Sequence, residues 1–568
     1  MVTDCGAQHQ ETTWKLLFLL TDDKQLRPIK TETELATTLT LYPDKIRMIL
    51  DILVASYLVF YIQIKTEYGY QLITNYLVAI IDKLHKSNIK TNLLNIEGKK
   101  RIFQQGKQEG IKLERAGVTH LNQFNYSPFD ALVAAMETGK ALKAMVTKHT
   151  PLKDYPAATP ILALQMILDH IQEPRLGKHE GKIYQVKFSR DGQLLASAGV
   201  DGIVRLWNVN TWQSQEFKGH EGLVRQVEFS RDGQLLASAG EDGIVRLSDV
   251  NIGQSQELTG HQGWVKQVKF SRDGQVLASA GIDGIVKLSD VNTRQVQELK
   301  GHYGWIEQLE FSQDGQLLAS AGEDGIVRLW YLNTRQCQPL KGHRGWVRQL
   351  EFSQDGQLLA SAGEDRIVRL WNLNTGEFQT LKGHQGSIDQ VEFSRDSQLL
   401  ASAGEYGILR LWDLNTGEFQ QFQRHQGKVN QVKFSQDGQL LASAGEYGIV
   451  RLWDLNTGEF QQFTGHQGNV NQVEFSPNGQ LVASAGDDCT VRLWDLRGRQ
   501  IGQFEGIRLV FNPDGTQLAT IDGDTVKLWR VDTLNGLLAR GCAWLGSYFR
   551  NSSVNPELKE FCDCLLEE

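Results

Sequence analysis

The sequence predicts a mainly β fold: a β-propeller of nine repeat units, eight full and one degenerate, preceded by an α-helical, winged-helix-like amino-terminal region. Three observations predict it. Eight histidines (His179, His220, His261, His302, His343, His384, His425 and His466) follow one another at a constant spacing of 41 residues. Within each period, short runs alternate apolar and polar residues between Asp-Gly-like turn signals, the pattern of half-buried strands. Glycine accounts for 55 of 568 residues, above the usual ~7% and without a collagen period, which calls for many tight turns. Four strands every 40–45 residues or so make a propeller blade.

The unit that opens at His343 illustrates the blade. Residues 346–352 alternate with one extra residue, a bulge. Gln354-Asp355-Gly356-Gln357 is a hairpin turn, because Asp-Gly accepts the positive φ such turns need. Residues 358–361, 367–372 and 378–381 are the remaining strands, with turns at 364–366 and 374–377. A ninth, shortened copy (Phe511-Asn512-Pro513-Asp514-Gly515, then Val526-Lys527-Leu528-Trp529) lacks the Gly-His opening. An open ring would leave unpaired strand edges. Leu176 stands three residues before His179, as Leu299 does before His302, so residues 172–178 are expected to complete the last blade. The alternative is an eight-bladed ring with the ninth unit as a flap.

This Gly-His … Trp-Asp text, over residues 172–531, resembles WD repeats. The resemblance implies a buried His, Ser, Asp and Trp hydrogen-bond chain in each blade, at 18, 22 and 28 residues after the His. The set is complete in His179/Ser197/Asp201/Trp207, His302/Ser320/Asp324/Trp330, His343/Ser361/Asp365/Trp371 and His466/Ser484/Asp488/Trp494. Such a set is physically sound, since a buried neutral imidazole needs a partner on each ring nitrogen. Ser248 and Ser289 replace the Trp in the second and third units, and Tyr406 and Tyr447 replace the Asp in the sixth and seventh. Those four blades are expected to be looser. The same residue types make a hydrolase triad, but eight equally spaced copies and no Gly-x-Ser-x-Gly elbow argue for structure.

Four regions are expected: a winged-helix-like domain at 1–86, a linker and helical region at 87–171, the propeller at 172–531 and a helical tail at 532–568. In the first, residues 13–20, 32–39 and the stretch after Pro43 carry helical spacing, and residues 58–64 and 70–73 form a two-stranded wing. Asp44, Lys45, Arg47 and Asp51 cancel on its third helix, which disfavours DNA contact. Residues 87–110 are a polar linker, followed by helices at 111–124, 128–148 and 160–171. Gln71–Val78, the helical region and the tail around residues 534–545 resemble the parts flanking the nucleotide core in bacterial STAND-class NTPases. No Gly-x-x-x-x-Gly-Lys-Ser/Thr loop occurs, so the core of that class is missing and no cofactor is expected.

A net charge of −8 and pI near 6.0 do not invite nucleic acid. Six cysteines (Cys5, Cys337, Cys489, Cys542, Cys562 and Cys564) lack framework spacing, so the thiols are expected to be unpaired in a reducing compartment, the cytoplasm. Cys562-Asp563-Cys564 has no second pair of metal ligands near it, and no apolar run reaches membrane-spanning length.

Differences among the repeats concentrate three and five residues after the His. The WD resemblance places these positions around one mouth of the channel. Candidate partner-binding residues are Tyr184, Arg225, Trp264, Lys266, Trp305, Glu307, Trp346, Arg348 and Asp389. The Trp and Arg content is that of a binding hot spot. Glu241, Glu323, Glu364, Glu405, Glu446 and Asp487 precede the turn position and suggest an acidic arc beside the aromatic–basic one. The expected function is a non-enzymatic scaffold or ligand-sensing arm of a bacterial signalling system, binding protein or peptide partners, among them a separately encoded NTPase. The alternative is a transcriptional regulator whose winged helix binds DNA.

Overall fold

The second strand of every full unit carries Leu-Ala-Ser-Ala-Gly or a close variant, small residues that let sheets stack face to face. In the computed structural model these strands are buried along nearly their whole length. The structure describes residues 90–549 and 556–567, except 125, 148, 173–174 and 423–424, so the expected winged helix lies outside the described residues. The chain divides into two units, Met1–Gln105 and Gly106–Glu568, and the second contains the whole ring.

Nine four-stranded antiparallel sheets make the propeller. Blades 1–8 open at Ile183, Val224, Val265, Ile306, Val347, Ile388, Val429 and Val470, and blade 9 at Arg508. The expected bulge appears in the first hairpin of each full blade, as between Val347 and Gln349. The strand pairing leaves no room at its end: a Cβ on Gly363 would lie 1.9 Å from the Trp346 carbonyl oxygen. Apolar clusters fill the blade interfaces. Trp330 and Phe311 of blade 4, for example, pack with Ala278, Ala280 and Leu299 of blade 3.

Strand β1 (Arg175–Lys178) pairs antiparallel with Thr525–Arg530 of blade 9 and supplies its fourth strand from the opposite end of the chain. The inner strand of blade 1 touches blade 9, so the ring is closed with nine blades and no flap. One detail differs from expectation. Gly177, not Leu176, faces Val526, and Leu176 pairs with Lys527 and is 51% exposed. The buried place that Leu299 fills opposite Val286 is taken at the seam by a glycine. A Cβ there would come within 2.7 Å of the Trp207 ring. Trp207 stacks on Trp212 (5.4 Å), whose indole N–H reaches the Leu176 carbonyl (2.8 Å).

Outside the ring, α1 (Lys90–Phe124), α2 (Pro128–Met145) and α3 (Thr159–Ile171) precede it, and α4 (Leu534–Phe549) and α5 (Pro556–Glu567) follow. The expected polar linker is thus helical from Lys90 onward. Its Lys, Gln, Glu and Ile content, with no proline, favours helix over coil. The helices before and after the ring do not form separate linker and tail. Leu132, Met136, Leu164, Leu538, Cys542 and Leu545 share one core with Ile501 and Phe504 on the outer strand of blade 8. Arg540, also held by Asp532 (2.7 Å), joins the two groups through Asp169 (2.9 Å), and Arg499 donates to the Tyr155 carbonyl (2.7 Å). Cys542 and Cys562 form a disulfide between α4 and α5, which corrects the expectation of unpaired thiols. Their spacing of 20 residues has no framework signature, and only the helical hairpin brings them together.

Candidate functional site

The blade fastening comes first, because it decides which polar groups are free. In blade 4 the Trp330 indole donates to Ser320 Oγ (2.8 Å), Ser320 lies 2.8 Å from His302 Nε2, and His302 Nδ1 lies 3.1 Å from Asp324. Ser320 Oγ therefore links the indole N–H to the imidazole, and His302 Nδ1 faces the Asp324 carboxylate with the Arg328 guanidinium beside it (2.7 Å). The same chain runs through the other three complete blades. The Trp207 indole donates to Ser197 (2.9 Å), Trp371 to Ser361 (2.8 Å) and Trp494 to Ser484 (2.8 Å). Each of these serines lies 2.8 Å from its own histidine, His179, His343 or His466. Their aspartates, Asp201, Asp365 and Asp488, close the chains at 3.0 Å from the histidine Nδ1.

Burial settles what these residues can do. Ser197, Ser320, Ser361 and Ser484 are all 0% exposed, so no substrate reaches a serine and the nucleophile reading fails on access. Trp371 and Trp494 are 3% and 1% exposed, and Trp207 and Trp330 are buried as well, so none of the four indoles can touch a partner. The tetrads therefore do not belong to the functional site. Ser197, Ser361, Trp371, Ser484 and Trp494 hold strands together inside their blades, and the binding surface must be sought elsewhere.

A fifth member went unread in the sequence. Arg205, Arg328 and Arg369, each 26 residues after the His, are buried and donate to the turn aspartate at 2.6–2.7 Å. Burial pushes the Asp201 carboxyl up, but hydrogen bonds from Arg205 and His179 outweigh it and hold the group at about 2. In blades 6 and 7 the aspartate is absent. His384 and His425 keep their serine bonds (2.7 Å each), and burial beside Arg410 and Arg451 drives both rings down to about 3. Tyr406 and Tyr447 swing out to solvent. In blades 2 and 3 the His, Ser and Asp contacts persist without the tryptophan.

A second device faces the channel. The repeats carry Gln six residues after each His, and in six of the eight its side-chain carbonyl accepts a backbone N–H from the next blade. Val227 N–H reaches Gln185 (2.7 Å), Val268 reaches Gln226 (2.8 Å), Val473 reaches Gln431 (2.8 Å) and Leu509 reaches Gln472 (3.0 Å). Repetition in the sequence was the available signal, but it did not distinguish this role from shared ancestry of the units.

The candidate binding residues gather at one mouth. Tyr184, Arg225, Lys266 and Glu307 line a cavity of about 410 Å³ together with the glutamines and Arg508. A second cavity, about 640 Å³, continues round the rim past Asn430, Asn471 and Asp487. Trp264 and Trp305 are each 41% exposed and Trp346 is half-buried. Cations lace them from blade to blade: Arg225 lies over Trp264 (4.8 Å) and Lys266 over Trp305 (5.1 Å). Trp305 meets Trp346 at 5.9 Å, and Arg348 lies over Trp346 at 5.2 Å. The strip is continuous across blades 2 to 5, with indole faces on the rim.

The expected acidic arc beside this strip does not exist as a separate surface. Glu241 pairs with Arg225 (2.8 Å), Glu364 with Arg348 (2.6 Å) and Asp487 with Asn471 (2.6 Å). Glu323, Glu405 and Glu446 accept backbone N–H groups of their own loops at 3.0–3.1 Å. Lys266 pairs with Glu307 (2.6 Å), and Asp389 with Lys428 (2.9 Å). The acids therefore brace the rim and neutralise its cations. Among the described residues no cluster of His, Cys, Asp and Glu could hold a metal ion, and no helix is long and apolar enough to cross a membrane.

A closed ring of four-stranded blades, fastened by His–Ser–Trp–Asp chains, defines the WD-repeat β-propeller. Comparison with known proteins agrees. Residues 172–208, 212–249, 253–290 and 293–331 match the family described as WD domain, G-beta repeat, and residues 332–510 match that described as IFT122 first beta-propeller. Among curated proteins, the chain is similar to two from Synechocystis sp. (strain ATCC 27184 / PCC 6803 / Kazusa). With uncharacterized WD repeat-containing protein slr0143 it is 37% identical over 107 residues, 19% of this chain and 9% of that protein. With uncharacterized WD repeat-containing protein sll0163 it is 38% identical over 103 residues, 17% and 6% respectively. The chain thus spans less than a tenth of the length of either relative.

Proposed function

We propose that this propeller is a non-enzymatic interaction module that holds a protein or peptide partner on the channel-mouth face of blades 2 to 5. The observation that carries the reading is the strip of Trp264, Trp305 and Trp346. Large indole faces stand at the rim on three adjacent blades, each with a cation laid over it and that cation already neutralised. Rigid aromatic area beside paired charge is cheap to desolvate and suits a protein surface, whereas a nucleic acid would ask for unpaired cations. In a bacterial signalling setting the module would act as the sensing or docking arm, and a separately encoded NTPase is the partner class that the STAND resemblance suggests.

The test is capture of the native partner by the full chain and by W264A/W305A/W346A. Loss of about 2 kcal/mol per hot-spot tryptophan is expected, enough to abolish capture with folding retained. Undiminished capture by a folded triple variant would refute the reading.

A further inference from the structure

Blade 9 breaks the symmetry of the mouth. Aligned through Phe511 and Phe475, Arg508 occupies the place that Gln472 has in blade 8, and Leu509 takes the inter-blade bond that its counterpart Val473 takes from Gln431. The belt of eight glutamines is therefore completed by one arginine. Blade 9 also lacks the Gly-His loop, and its first strand begins two residues after Gly506. Arg508 is exposed to the channel and lines both mouth cavities. Across the seam stand Lys182, exposed, and Tyr184, with the Lys182 ammonium 5.6 Å from the Tyr184 ring.

These groups differ from the rest of the rim in one respect. Arg225, Lys266, Arg348 and Lys428 each have a carboxylate partner. Among the described residues, Arg508 and Lys182 have none, and the Tyr184 hydroxyl makes no hydrogen bond. On the neighbouring blade, Asp487, which lines the same cavity, accepts from Asn471 (2.6 Å), and Glu474 accepts from Gln472 (2.9 Å). A planar guanidinium with free N–H groups, an ammonium and a phenol converge where the ring closes, beside two open cavities. That donor set is matched to a carboxylate, which a guanidinium binds through two parallel hydrogen bonds.

We propose that Arg508, Lys182 and Tyr184 form a seat for a carboxylate carried by the protein partner, orienting it at the seam between blades 9 and 1. This rests on the mouth face being the partner surface and adds what the partner must present there. The seat sets the partner's rotational position: eight blades offer a neutral amide at this depth and one offers a cation.

The experiment titrates the full chain with a labelled hexapeptide alternating aspartate and serine, capped at both ends, and with its asparagine twin. A charge-assisted pair predicts that the acidic peptide binds about tenfold or more tighter at low salt. R508Q, which restores a ninth belt glutamine, should erase the difference, while R508K should keep part of it. Equal binding of the two peptides, or a preference that survives R508Q, overturns the seat and leaves the tryptophan strip standing. Failure of both peptides to bind overturns it as well. Loss of partner binding in W264A/W305A/W346A with the acidic preference intact would instead separate the two surfaces.

Discussion

At Tyr406 and Tyr447 the turn residue sits at φ 59° and 62°, a region where a bulky side chain is strained, and the histidine behind it has lost its acceptor. Among the described residues, the Nδ1 of His425 has no partner. Tyr406→Asp and Tyr447→Asp should relieve the strain, because aspartate tolerates that backbone, and should supply the missing carboxylate. About 1 kcal/mol per site is expected, read as a raised denaturation midpoint; an unchanged or lowered midpoint would refute it. The same histidines predict a pH dependence. Their folded pKa values are depressed to about 3, against roughly 6.5 when unfolded. The unfolded state then binds more protons between these values, so stability is full above about 6.5 and falls as pH drops toward 3. Urea unfolding at neutral pH and at mildly acid pH should show that loss, and H384N/H425N should reduce it.

At the level of elements, the seam and the helical cap carry the tests. Deleting residues 175–178 bares the edge of Thr525–Arg530, so melting should fall and light scattering should report association through that edge. An unchanged, monodisperse protein would contradict closure by β1. For the cap, Cys542→Ser should cost about 3 kcal/mol in the absence of reductant, and dithiothreitol should bring the parent protein to the same midpoint. The blades were legible because each strand, bulge and turn recurs with the 41-residue period. The seam was legible only to within one residue, since Gly177 rather than Leu176 meets Val526 and the degenerate unit has no His to mark its register. The joining of α2 and α3 to α4 and the Cys542–Cys562 bridge were not legible. Those contacts unite segments on either side of the ring or of a turn, and no periodicity encodes them.

For the whole molecule, the ring converts a nearly uniform repeat into a surface that is uneven round its mouth. Tyr184, Arg225, Lys266 and Glu307 reach that mouth as their position after each His implies, so the location of the candidate site was readable in the sequence. Its electrostatics were not, because an acid and a base that look like two arcs in the text prove to be partners in space, as Glu241 and Arg225 are. The glutamine belt and the arginines 26 residues after every repeat His but His261, where Lys287 stands, were visible yet silent, since near-identical units repeat most residues alike. The central claim is that the mouth face, not the opposite face or the helical cap, holds the partner. Hydrogen–deuterium exchange of the full chain with and without its purified partner tests this most directly. Protection should fall on the loops at 221–225, 262–266, 303–307 and 344–348 and at the seam around Arg508. Protection confined to the opposite-face turns at 189–193 and 230–234, or to α4 and α5, would contradict the account.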